Sequence, residues 1–243
     1  MTVLRKSLRQ LAGAVLRRLG IPARSRPYMG DYLQPAFVNA LRGQKFKTIF
    51  EFGCCDGQDT LRLRDYFGAR VHAFECNPMM LPQLRTTFRG QPRIRLVECA
   101  VWDNDGPIPF YPVVHTVWEG RVVSNPGASS CYRAGSDYHQ EYEQTQVVVE
   151  ATRLDTYCDR EGIRGPDLLC IDAQGAALPA LRGLGRYLDD VRAIIVEIEH
   201  REIFVGEDLY PAVDDFLQQA GFRQVVVIPQ DAWFNNYLYL RRA

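Results

Sequence analysis

The segment with the most chemical content is Glu51-Phe52-Gly53-Cys54-Cys55-Asp56-Gly57, between an apolar run at 48–52 and a helical pattern from about Gln58. Glycines at both ends permit a tight turn and let a ligand approach the backbone closely. An acid at a strand end can receive a charged amine or a hydroxyl. Eighteen residues beyond Gly57, Glu75 ends a second apolar run, 71–75. A carboxylate there can accept both hydroxyls of a ribose, much as an acid about 20 residues past a glycine loop grips the ribose of a dinucleotide. The glycine spacing differs, however: it is Gly-x-x-x-Gly preceded by an acid, and not the Gly-x-Gly-x-x-Gly that cradles a pyrophosphate. The pattern predicts a nucleoside cofactor without a pyrophosphate. A nucleotide-dependent oxidoreductase is a weaker reading, and tight turns in an ordinary α/β domain a third.

A second set of candidates closes the apolar run 191–198. Glu197, Glu199 and His200 stand at its end, and strand alternation places the two glutamates on one face. In the functional reading, His200 or a carboxylate removes a proton from an acceptor, or the acids hold a metal. The plain reading is a solvated strand end. Cys54 and Cys55 read as small turn residues sooner than as a redox pair. His115 and His139 either join an acceptor site or are loop histidines.

These residues need a frame, and strand–helix alternation supplies one. Apolar runs at 48–52, 71–75, 94–101, 167–172 and 191–198 predict five strands, the last near-continuously apolar, as a strand buried on both faces should be. Helices are expected at 31–41, 58–66, from Asn77-Pro78 to Phe88, from the fourth strand to about Tyr187, and at 208–220. Strands at 223–228 and 237–240 are too close for a crossover helix and should pair antiparallel. The fold class is α/β: a doubly wound, mostly parallel seven-stranded sheet with a C-terminal antiparallel hairpin. Residues 103–150 break the rhythm. Rich in Pro, Gly and Ser, they carry Phe110, Tyr111, Trp118, Tyr132, Tyr138 and Tyr142, and their β-branched runs predict inserted strands. Those aromatics either stack on a sugar or apolar acceptor or fill the inserted core.

The division expected is a basic amphipathic helix and linker over 1–26, then one domain over 27–243. Leu4, Leu8, Leu11, Val15 and Leu19 fall at helical spacing, and residues 1–26 hold seven basic residues and no acid. That helix packs on the domain or, in a second reading, contacts an anionic membrane surface through residues 3–19. A net charge of zero offers no footprint for nucleic acid. Seven cysteines, one adjacent pair and five scattered, without zinc spacing or a disulfide framework, suit a reducing cytoplasm. No apolar run approaches the ~20 residues of a membrane span, and the N-terminus does not read as a signal peptide.

Glu51 to Gly57, Ala73-Phe74-Glu75-Cys76-Asn77-Pro78 and the terminal strand pair resemble class I S-adenosylmethionine methyltransferases. Arg153-Leu154-Asp155, Asp172-Ala173-Gln174-Gly175, Leu181-Arg182-Gly183 and Ile195-Val196-Glu197 narrow the resemblance to the FkbM family, over roughly residues 45–240. The resemblance implies O-methylation of a hydroxyl on a sugar, glycan or secondary metabolite, with S-adenosylmethionine as donor. It implies that Glu51, Gly53, Cys54 and Gly57 surround the methionine part and adenosine edge, that Glu75 holds the ribose, and that Cys99 and Ala100 lie beside the adenine. Asp172 would face the crevice at the carboxyl ends of the strands, touching the cofactor and positioning the acceptor, with Glu197, Glu199 or His200 as the base. Two positions depart from the family pattern, Cys170 for Lys and Ala177 for Glu. They motivate the alternative of a fold that binds a ligand or partner without catalysis, and a reaction without an obligatory metal.

Overall fold

A computed structural model describes residues 31–242. The helix expected over 3–19, its linker and the membrane contact attached to it lie outside the described residues. No helix among those described is long and apolar enough to cross a membrane.

The elements are α1 (Pro35–Ala40), β1 (Thr48–Phe52), α2 (Gln58–Phe67), β2 (Arg70–Phe74), α3 (Leu81–Thr87), β3 (Ile94–Val97), β4 (Ala100–Val101), β5 (Gly106–Phe110), β6 (Val113–Trp118), β7 (Arg121–Ser124), β8 (Glu141–Gln144), β9 (Val147–Thr152), α4 (Leu154–Glu161), β10 (Leu168–Ile171), α5 (Ala177–Arg182), β11 (Ala193–Glu199), α6 (Tyr210–Gln219), β12 (Phe222–Pro229) and β13 (Phe234–Arg241). Seven strands form one sheet in the order β12-β13-β11-β10-β1-β2-β3. The run from β11 to β3 is parallel, and β13 is antiparallel to both β11 and β12. Both faces are covered. Phe50, Phe52, Leu169, Ile171 and Val196 enter one core; their neighbours Ile49, Leu168, Cys170 and Ile195 enter the other. That alternation accounts for runs apolar at every position.

Chain order reverses between β1 and β10, which pair in register from Ile49↔Leu168 to Phe52↔Ile171. In open α/β sheets, ligands bind outside the carboxyl ends of the strands at such a point. Glu51, Gly53 and Asp172 stand there.

Several expected elements are corrected. The strand expected over 94–101 is two: Cys99 N–H bonds back to the Val97 carbonyl, and Ala100 leaves the main sheet to pair with Ala151. The helix expected over 31–41 begins only at Pro35, whose ring holds the preceding residue extended (Gln34 ψ 142°) and leaves 31–34 as a turn. The helix expected to reach Tyr187 stops at Arg182 and resumes as a 3-10 turn, Gly185–Asp190. Asn77-Pro78 lies in the turn before α3, and α4 was not anticipated. The insertion does hold strands, as two three-stranded sheets, β4-β9-β5 and β7-β6-β8.

Candidate functional site

A cavity of ≈380 Å³ opens at the β1/β10 reversal, within the range of about 300–1,000 Å³ usual for small-molecule sites. Its lining brings together Glu51, Gly53, Cys54, Glu75, Cys99, Ala100 and Asp172. Gly57 does not line it but shapes it: with φ +79° it starts α2, and a Cβ there would meet the Phe88 ring at 2.6 Å. Gly53 is more constrained. At φ +76° it packs against the Asp172 carbonyl, and a Cβ would stand 2.0 Å from that oxygen. The glycine turn and the acid of β10 are thus fitted backbone to backbone.

Glu51, buried at the end of β1, accepts a hydrogen bond from the Thr60 hydroxyl at 2.5 Å. Burial pushes its carboxyl up to about 8, with Asp59, Glu75 and Asp172 adding to the shift. Cys170, where the sequence resemblance implies lysine, lies within electrostatic reach of Glu51 and Asp59, and its neutral thiol brings these acids no cation. Ala177, the other departure, is buried in the core at the start of α5.

Glu75 follows the last residue of β2 and bridges two turns. One oxygen accepts the Cys76 and Asn77 amides at 3.0 and 2.8 Å, the other the Cys55 amide at 2.9 Å. An ionised carboxylate has about four lone-pair sites, so one remains toward the cavity. In this arrangement Glu75 can take one further hydroxyl, where the sequence suggested two. Burial raises its pKa, against which the three amides pull. Replacing Glu75 with alanine or glutamine is expected to weaken nucleoside-cofactor binding by about 1–3 kcal/mol, because the ligand hydroxyl loses a charged acceptor. Calorimetry on the folded variants checks this, and wild-type affinity in both would show that Glu75 serves the turns alone.

Asp172 follows β10. Its Oδ1 accepts Gln174 Nε2 at 2.6 Å, and the same amide nitrogen reaches Glu197 Oε1 at 3.0 Å. Gln174 is held in the left-handed region (φ +46°), and its carbonyl accepts the Ser130 hydroxyl at 2.6 Å. Burial pushes Asp172 up to about 6, Asp31 and Asp59 adding to the shift, while Gln174 and Glu197 hold it down. Glu197 is raised well above the carboxylate range by burial and by Asp172. A carboxylate near 6 facing a cavity suits a proton acceptor at neutral pH.

The other expected catalytic residues lie elsewhere. Glu199 is buried behind the site. Burial, with Glu207 beside it, raises its pKa. His200 is absent from the cavity lining. Its Nε2 lies 2.6 Å from the Tyr237 hydroxyl and 2.9 Å from Asn235 Nδ2, and its ring stacks on Tyr210 at 5.0 Å. Burial lowers its pKa. His115 meets Glu143 at 3.2 Å on the inserted sheet, and His139 is exposed; neither reaches the cavity. Sequence reasoning missed Asp31 and Tyr32, in the turn before Pro35, and Ser129 and Cys131 of the insertion, all of which line the cavity. The Asp172-x-Gln174 motif was visible, but not the role of Gln174 as the bridge to Glu197.

The electrostatic character of the lining is one-sided. Asp31, Glu51, Asp56, Asp59, Glu75 and Asp172 contribute carboxyls; among the described residues Arg62 is its one cation, paired with Asp59 at 2.7 Å. Such a lining favours a ligand carrying positive charge and opposes a pyrophosphate. No group of three or more His, Cys, Asp or Glu among the described residues is placed to hold a metal ion.

A family model described as the Methyltransferase FkbM domain matches residues 51–224. The chain is 30% identical over 189 residues to 2-O-methyltransferase NoeI of Sinorhizobium fredii (strain NBRC 101917 / NGR234), covering 75% of this chain and 74% of that one. Among solved structures, it resembles Aeropyrum pernix fibrillarin with S-adenosyl-L-methionine bound, at TM-score 0.49 and 15% identity, covering 81% of this chain and 67% of that chain. Precorrin-6y C5,15-methyltransferase of Geobacter metallireducens GS-15 is similar at TM-score 0.45 and 14% identity, covering 84% of each chain.

Proposed function

The chain belongs to the FkbM methyltransferases, and from that premise we propose that it transfers the methyl group of S-adenosylmethionine to a hydroxyl oxygen of a sugar, glycan or secondary metabolite. The observation that carries the reading is the cavity at the strand reversal, with six carboxyl side chains and one guanidinium. S-adenosylmethionine uses a nucleoside, a sulfonium, an ammonium and a single carboxylate, and that charge pattern fits this lining better than a dinucleotide does. The activity for which the relative is named, 2-O-methylation, supports oxygen as the acceptor atom. Family and relative also favour catalysis over the alternative of a fold that only binds.

Bound there, the donor supplies an electrophilic methyl group on a cationic sulfur. Glu51 would receive the ammonium, Arg62 the carboxylate, Glu75 a ribose hydroxyl, and Cys99 and Ala100 the edge of the base. Asp172, held by Gln174, would orient the acceptor hydroxyl and take its proton. As the new C–O bond forms, the C–S bond breaks and its electron pair stays on sulfur. Alignment of oxygen, carbon and sulfur supplies much of the rate. The reading is tested by mass spectrometry across oligosaccharides and small metabolites incubated with enzyme and donor. A gain of one CH₂ on an acceptor, matched by release of S-adenosylhomocysteine, is expected; donor consumption without any methylated hydroxyl would contradict it.

The raised acids also set a pH dependence. A cationic ligand binds the ionised carboxylates better, so affinity for S-adenosylmethionine should rise with pH, through about 6 as Asp172 ionises and again toward about 8 as Glu51 does. The ligand-free protein should behave oppositely. Glu51 has a folded pKa above its unfolded value, so its contribution to stability is full below pH 4.5 and is lost as pH rises through 8. The melting shift produced by the donor should therefore be larger at pH 8 than at pH 6. Calorimetry and thermal melts across that window check both statements, and Glu51→Gln should flatten the upper rise.

A further inference from the structure

We propose that a second groove, built on the inserted strands, is the subsite for an oligosaccharide whose terminal hydroxyl is presented to Asp172; this rests on the glycan-acceptor reading above. The groove has a volume of ≈470 Å³ and is walled by residues 133–136 on one side and by residues from β8 on the other. Its chemistry is that of polyol recognition. Apart from Ala134 and Gly135, every lining residue carries a polar side-chain group: phenols, amides, a hydroxyl, a carboxylate and the Arg133 guanidinium. Phenol and amide groups both donate and accept, which is what neighbouring sugar hydroxyls require. A lipid or polyketide chain would find almost no apolar wall. One arginine beside one acid, Glu141, gives no electrostatic basis for a polyphosphate strand.

The floor is fixed in advance. Tyr138 packs on Trp233 at 5.1 Å and on Tyr142 at 5.9 Å, and Tyr142 stacks on Phe204 at 6.1 Å. A rigid lining loses little freedom when a sugar settles against its polar groups. The walls are braced as well, since Gln144 Oε1 accepts the Ala134 amide at 2.9 Å and Gly135 N–H bonds to the Ile203 carbonyl at 2.7 Å. Arg133 and Gln146, by contrast, are exposed.

The groove and the donor cavity adjoin along one segment of the chain, with no lining residue in common. Ser129 and Cys131 line the cavity, while Arg133 to Ser136 line the groove. Cys131 and Arg133 are two residues apart, at most about 7 Å along the backbone. Next to Cys131, Ser130 ties the segment to Gln174, the residue that positions Asp172. A ligand chain lying in the groove can thus reach the cavity across one short segment.

Binding is measured first, on an array of mono- to hexasaccharides without donor, using the full chain, Arg133→Ala and Ser136→Trp; the tryptophan replaces an exposed serine and fills the groove. Wild-type protein should retain some oligosaccharides and not their monosaccharides, and each variant should lose that preference by about tenfold or more. Calorimetric affinity for S-adenosylmethionine should be unchanged in both, which separates groove damage from cavity damage. Methyl transfer is measured second. If glycans are methylated but the variants keep the wild-type length preference, the groove assignment is wrong while the acceptor reading stands. If chain-length-dependent binding is lost in the variants but no glycan is methylated, the groove holds oligosaccharides without presenting them to Asp172, and the subsite assignment fails together with the acceptor reading. Wild-type protein that binds no oligosaccharide better than its monosaccharide overturns the proposal.

Discussion

Gly53→Ala is expected to eliminate cofactor binding and to reduce stability severely. The new methyl carbon would stand 2.0 Å from the Asp172 carbonyl oxygen, and φ at this position is +76°. Backbone strain in the left-handed region costs about 1–3 kcal/mol, and overpacking a fitted contact costs about as much again. The obstacle is backbone just past β10, so relief requires opening the β1/β10 reversal itself. Comparison with other glycines isolates the cause. At Gly57 the methyl meets the side chains of Phe88 and Leu84, which can give way, and at Gly90 it meets nothing within 4 Å. The order of damage should be Gly53→Ala, then Gly57→Ala, then Gly90→Ala, in melting temperature and in donor affinity. A Gly53→Ala protein with wild-type melting and affinity would show that turn and acid are not fitted as described.

The second large effect falls on turnover. Asp172→Asn keeps the shape and the contact with Gln174 but removes the proton acceptor, and loss of a positioned base slows reactions by about 10²–10⁴-fold. Donor affinity should change far less. With Asp172 pushed up to about 6, wild-type activity should rise with pH through that value, and the rise should vanish in Asp172→Asn. His200→Ala should leave both turnover and limb nearly intact, because its ring is committed to Tyr237 and Tyr210, outside the cavity. A limb that disappears with His200 and survives Asp172→Asn would reverse this assignment.

The two residues show what was legible in the sequence. Asp172 could be placed because a short apolar run ending in an acid maps directly onto a strand end. The same logic put His200 beside it, and there it misled. Beyond Glu199 the chain leaves the strand, and His200 finds its partner on β13, 37 residues away. No local pattern encodes that choice. The glycine turn and Glu75 were readable as local geometry, yet the number of ribose hydroxyls Glu75 can take depends on three amides brought from two turns. Tyr32 was hidden by a helical pattern that Pro35 cuts short. The insertion was recognised as strands from its β-branched runs. Which of its residues reach the cavity depends on how its two small sheets fold back, and hydrophobic periodicity carries no signal for that.

The central claim is that the methyl group of S-adenosylmethionine is delivered to a hydroxyl oxygen at Asp172. Carbon-13 in the donor methyl, followed by nuclear magnetic resonance of the products from wild type and Asp172→Asn, tests it most directly. The label should appear as a methyl ether on a sugar or metabolite oxygen with wild-type enzyme, and should remain on sulfur with the variant although the variant still binds the donor. Label recovered on nitrogen or carbon, or transferred to oxygen equally fast by Asp172→Asn, would contradict the account.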